Sequence, residues 1–121
     1  MWLYSYMAIN DRSSERLTRT FSALTDPTRR AILAHLARGE ASVSELMAPF
    51  ALSQPTISKH LKVLEDAGLI EQGRDAQRRP RRLTATALDD AAWWIDDFRK
   101  QWTKRLDRLE AHLAKVKSKE R

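Results

Sequence analysis

The sequence predicts a mainly α-helical domain with one small β-hairpin and a long C-terminal helix, arranged as a winged helix-turn-helix. Three observations carry that expectation. Apolar residues recur at three- and four-residue spacing over most of the chain. Two serine-led helix starts, Ser42-Val43-Ser44-Glu45 and Ser53-Gln54-Pro55-Thr56, stand in succession and are followed by two short β-type runs. A near-heptad apolar stripe then fills the rest of the chain. At 121 residues there is room for one core. The expected organisation is an N-terminal arm over residues 1–12, the winged domain over 13–85, and a dimerisation helix with a basic tail over 86–121.

Each element has a local reason. The apolar opening Met1–Ile9 lacks a basic n-region, so a secretory signal is not expected and the segment reads as a loose tail or dimer-packing arm. The first helix is expected from Ser13 to Leu24, with Leu17, Phe21 and Leu24 on one face. Thr25-Asp26-Pro27 breaks it: Asp26 is a good N-cap and Pro27 a good first helical residue. The second helix should run to about Arg38, burying Ile32, Leu33 and Leu36, and Gly39 should end it. Ser42 and Glu45 then have the spacing of a capping box. The third helix turns Val43, Leu46 and Met47 inward and closes near Pro49.

The fourth helix is expected from Ser53 to about Ala67, ending at Gly68, with Ile57, Leu61 and Leu64 as a narrow buried stripe. The runs Leu69–Gln72 and Arg81–Thr84 pair as a hairpin. Pro80 cannot donate to a ladder, which makes it an edge hairpin. Thr86 should cap a final helix of about thirty residues, roughly 45 Å long. On it Leu88, Ala91, Ile95, Phe98, Trp102, Leu106, Leu109, Leu113 and Val116 form a seam with one stutter around Trp102. A domain this small does not cover both sides of such a stripe. A second chain is therefore expected on Ile95, Phe98, Trp102, Leu106, Leu109 and Leu113, with Leu17 and Phe21 joining the dimer contact.

Charge narrows the function. The formal net charge is +6, which favours a polyanionic partner. The excess gathers at residues 53–84, net +3, rather than at residues 1–52, net +1. With Ile57, Leu61 and Leu64 facing inward, helical geometry puts Pro55, Lys59 and Lys62 on the opposite side of the fourth helix. Gln54, Thr56, Ser58 and Lys59 are the expected readers of base edges in a major groove. Ser53, Lys62, Arg74, Arg78, Arg79 and Arg81 are expected on the phosphate backbone, with Arg82 spread along the same ribbon. Glu65 and Asp66 fall at the far C-terminal end, out of the groove.

These residues carry a resemblance. From Phe21 to about Leu113 the chain resembles the ArsR/SmtB family of bacterial winged-helix repressors. The matching strings are Leu24-Thr25-Asp26-Pro27-Thr28-Arg29-Arg30-Ala31-Ile32-Leu33, then Ser53-Gln54-Pro55-Thr56-Ile57-Ser58-Lys59-His60-Leu61-Lys62-Val63-Leu64, then Ala67-Gly68-Leu69-Ile70. The resemblance implies a homodimeric transcriptional repressor on a palindromic operator near its own promoter, with the fourth helix as reader.

Other function classes fare worse. Metal-sensing members carry cysteine pairs on the third helix, where this chain has Glu45-Leu46-Met47-Ala48-Pro49-Phe50, or Asp and several His on the last helix, where only His112 stands. The expectation is the metal-independent branch, with no cofactor and no metal effector; the sequence names no small-molecule effector. The absence of cysteine excludes disulfides and thiolate sites and fits a cytoplasmic protein. No apolar run reaches membrane-spanning length. Asp89-Asp90 and Asp96-Asp97 point about 100° apart on a helix, so neither pair makes an acid/base dyad and no enzyme is expected. The remaining rival is a winged-helix protein-interaction module that never touches DNA.

Overall fold

A computed structural model describes residues 12–74 and 77–119. The expected N-terminal arm lies outside the described residues, apart from Arg12. Helix α1 (Arg12–Ala23) buries Thr20 and Ala23 and leaves Leu17 and Phe21 half-buried. The buried Thr20 hydroxyl is satisfied by the carbonyl of Arg16 at 3.0 Å. Leu24 falls outside the helix. The exit is held from the next one: Arg29 Nε donates to the Ala23 carbonyl at 2.8 Å, and Arg30 Nη1 donates to that of Leu24 at 2.6 Å.

Helix α2 (Pro27–Leu36) begins as its sequence dictates, with the Asp26 carboxylate accepting from the Arg29 amide at 3.0 Å and Pro27 at the first position. It buries Ile32, Leu33 and Leu36. Helix α3 (Val43–Phe50) opens on the full capping box of Ser42 and Glu45. The helix ends near Pro49, as expected: Pro49 sits inside its last turn, where it removes the N–H that would reach the Glu45 carbonyl, and Phe50 is the last helical residue. The stop is Ala51, held at φ 52° in the left-handed region that usually calls for glycine.

Helix α4 (Gln54–Asp66) starts at Ser53, whose Oγ accepts from the Thr56 amide, and buries Ile57, Leu61 and Leu64. Gly68 follows with φ 74°, and its amide and that of Leu69 close the helix onto the Glu65 and Leu64 carbonyls at 2.9 and 3.0 Å. Strands β1 (Ile70–Gln72) and β2 (Arg81–Leu83) pair antiparallel with Ile70 opposite Leu83, Glu71 opposite Arg82 and Gln72 opposite Arg81. A Cβ on Gly73 would lie 2.9 Å from Pro80 Cγ, so the hairpin closes tightly on that glycine.

The hairpin is less of a free edge than Pro80 suggests. Arg81 exchanges both backbone hydrogen bonds with Ala41, at 2.8 and 3.1 Å, on the side of β2 away from β1. Pro80 fits because its carbonyl is what the ladder uses there, accepting from the Gly73 amide at 2.7 Å.

Helix α5 (Ala85–Lys119) has 35 residues and so runs about 52 Å. Thr86 is not its cap: the helix starts one residue earlier, and it is Thr84 that precedes it, its amide on the Leu69 carbonyl and its hydroxyl on that of Gly68. The core holds Ile32, Leu36, Leu46, Ile57, Leu61, Leu64, Leu69 and Ile70, each 3% exposed or less. Burying each such side chain contributes about 1.5–3 kcal/mol, so α4 is anchored on its inner stripe. The chain divides into two compact units, one up to Ala91 and one from Ala92. The first turns of α5 belong to the first unit, with Ala87 and Leu88 packed on the core and Ala91 buried.

Candidate nucleic-acid interface

Burying one stripe of α4 fixes where its other side points. Gln54, Pro55, Ser58, Lys59 and Lys62 are all exposed, as the wheel requires. Three of the four expected base readers, Gln54, Ser58 and Lys59, therefore stand free on the surface. Thr56 differs. It is half-buried, and its Oγ1 lies 2.9 Å from Ser53 Oγ, so its hydroxyl and that of the expected backbone contact Ser53 serve each other at the helix start. Lys62 Nζ is 3.6 Å from Asp66, one turn on. Such an exposed pair contributes little and leaves the ammonium available.

His60, on the flank of α4, brings Nδ1 to 3.9 Å from Asp26. The Arg29 amide, ahead of the Arg29 and His60 charges, holds the Asp26 carboxyl below its ordinary range, against partial desolvation. The start of α2 and the side of α4 thus meet at one carboxylate.

The wing corrects the picture of five free arginines. Arg82 Nε donates to Glu71, directly opposite it in the ladder, at 2.7 Å. Arg78 donates through Nη2 to Glu45 in the first turn of α3. The Ser42 hydroxyl, and after it Arg78, holds the Glu45 carboxyl below its ordinary range. Arg81 departs furthest from expectation: its side chain is 11% exposed and its Nε donates to Glu65 of α4 at 2.7 Å. Burial against a carboxylate takes this side chain out of the row facing solvent and makes Arg81 a tie within the fold. Among the described residues, Arg74 and Arg79 are the wing arginines that are exposed and carry no ion pair.

The sequence reading missed these ties because their partners lie 16 and 33 residues away, where no local pattern reports them. The Glu71–Arg82 pair alone had a signal, since fixing the hairpin register through Gly73 and Pro80 places the two opposite each other. Among the described residues no three His, Asp or Glu side chains lie close enough together to hold a metal ion. Nor is any helix there long and apolar enough to cross a membrane.

The second unit has its own surface. Along α5, Ile95, Phe98, Trp102, Leu106, Leu109, Leu113 and Val116 are each 41–59% exposed in the single chain. Trp94 and Phe98 stack with ring centroids 5.7 Å apart, and Arg105 lies over Trp102 at 6.0 Å. Leu17 and Phe21, the other expected dimer residues, are half-buried on α1 in the first unit.

A helix-turn-helix domain model matches residues 24–73, from the end of α1 to the wing. The chain is 35% identical to the transcriptional repressor SdpR of Bacillus subtilis (strain 168) over 82 residues, covering 68% of this chain and 91% of SdpR. An ArsR-like transcriptional regulator from Rhodococcus sp. RHA1 superposes with a TM-score of 0.71 at 30% identity, covering 79% of this chain and 91% of that one. The chain belongs to the ArsR family. As an ArsR-family member it is a DNA-binding transcriptional regulator with a winged helix-turn-helix, in which α3 and α4 are the helix pair and β1–β2 the wing. It is also similar to the homodimeric winged helix-turn-helix DNA-binding domain of a possible ArsR-family regulator from Mycobacterium bovis. There the TM-score is 0.59 at 25% identity, over 75% of this chain and 88% of that one.

Proposed function

We propose that this ArsR-family chain is a transcriptional repressor acting as a homodimer on a palindromic operator in double-stranded DNA. One observation carries the reading: α4 buries Ile57, Leu61 and Leu64 and turns Gln54, Ser58, Lys59 and Lys62 outward. A helix of that size with amide, hydroxyl and ammonium groups on one side is what a major groove accepts. Gln54 reads an adenine edge, Ser58 and Lys59 read bases further along, and Thr56 offers mainly its methyl because its hydroxyl serves Ser53. Lys62, Arg74 and Arg79 hold flanking phosphates, and Arg78 joins them by exchanging Glu45 for DNA.

The exposed stripe from Ile95 to Leu113 is the surface for a second copy, and Leu17 and Phe21 are dimer contacts on the first unit. Two-fold symmetry then sets two α4 helices about one DNA turn apart, roughly 34–36 Å. The homodimeric Mycobacterium bovis relative supports this assembly. The proposed role is binding without catalysis, in the cytoplasm, with no cofactor and no metal effector.

The test is duplex binding across a salt series. Each Lys- or Arg-to-phosphate contact should contribute about −0.9 to the log–log slope. A flat slope, or no retention on duplex DNA at low salt, would favour instead a module that binds another protein.

A further inference from the structure

The wing and the reading helix meet at one side chain. Arg81 opens β2 with its side chain 11% exposed and its Nε 2.7 Å from the carboxylate of Glu65, whose side chain is 27% exposed. Its Nη1 donates to the carbonyl of Arg79, the residue whose φ of 43° turns the chain toward the strand. Its backbone exchanges hydrogen bonds with Ala41 before α3, and its ladder partner is Gln72. A single residue thus joins the last turn of α4, the wing loop, β1 and the segment that leads into α3. Two strands of three residues are too short to hold a hairpin angle by themselves, so the fixed direction has to come from such ties.

We propose that Arg81 and Glu65 are a positioning pair that holds the wing at a set angle to α4, so that Arg74 and Arg79 reach the backbone while α4 reads bases. Neither side chain touches DNA in this account. The inference rests on the DNA-binding reading above and adds a specific sign to it. Glu65 is a negative charge on the reading helix, so by charge alone its removal tightens binding to a polyanion. A positioning role requires the opposite, because a partly buried arginine without its carboxylate no longer has one preferred place.

The experiment uses the full chain and the duplex that wild-type protein selects from a random pool, with affinity followed by fluorescence anisotropy well below each variant's thermal midpoint. Glu65→Gln should weaken binding about tenfold, the scale of one missing charge-assisted hydrogen bond, and leave the salt slope unchanged. Arg81→Lys keeps the charge but not the forked geometry, and its affinity should fall to the same extent. In the free protein, hydrogen exchange at the Gly73 and Arg81 amides should quicken in both variants. Glu65→Gln binding as tightly as wild type or tighter, Arg81→Lys binding normally, or wing exchange left unchanged would each overturn the pair's role alone. Wild-type protein that selects no duplex would instead overturn the DNA reading and this inference with it.

Discussion

Gln54 and Thr56 stand two residues apart on α4 and differ in what they can offer a base. The Gln54 amide is exposed, whereas the Thr56 hydroxyl is shared with Ser53. Gln54→Ala should therefore cost about 1–3 kcal/mol at the matched operator and relax preference at one base pair, measured by binding to a panel of single-base operator variants. Thr56→Val, which removes the hydroxyl but keeps the methyl offered to a base, should change the preference less, since that hydroxyl faces the helix start. Asp26 adds a pH effect. Its folded carboxyl titrates below the ordinary value of 3.8, so the stability it contributes is present above that pH and disappears as pH falls through the lower folded value. Acid unfolding of Asp26→Asn followed by circular dichroism should accordingly show a shallower decline below about pH 4 than wild type. Glu45, also held low, works in the same direction at the start of α3.

Helix starts and stops were largely legible from local chemistry. Asp26-Pro27, the Ser42–Glu45 box and Ser53 each mark a helix entry with residues that satisfy the first free amides, and each begins its helix in the structure. Ala51 was not legible, because alanine carries no turn signal at the left-handed φ of 52° that it adopts. Ala51→Gly should relieve that strain and raise stability by up to about 1 kcal/mol, read as a higher thermal midpoint with unchanged DNA affinity. The wing was legible as a basic hairpin but not as one whose charges are mostly committed. Carboxylates on α3 and α4 reach it across the fold, and that proximity exists only after folding, whereas Glu71 belongs to the hairpin itself. The two arginines without such partners should dominate backbone binding. Arg74→Ala with Arg79→Ala should weaken all duplexes alike and reduce the salt slope by about 0.9 for each phosphate no longer neutralised. Weakening on one operator alone would contradict their placement on phosphates.

The periodicity of α5 was legible for the same reason as its exposure: nine apolar positions at three- and four-residue steps cannot all find cover in so short a chain. At its start Leu88 packs on the core of the first unit and Ala91 is buried, whereas the seam residues from Ile95 to Val116 are each 41–59% exposed. Trp102→Asp or Leu106→Asp should convert a dimer into monomers by sedimentation velocity and reduce operator affinity by at least about a hundredfold, since each half-site then binds alone. The boundary of the base-reading surface, by contrast, follows from α4 in one chain and survives such a change. The most direct test of the whole account is guanine-N7 methylation interference on the selected duplex. Paired α4 helices predict two patches of major-groove interference about 10–10.5 base pairs apart and related by a two-fold axis. A single patch, or uninterrupted binding after methylation throughout, would contradict it.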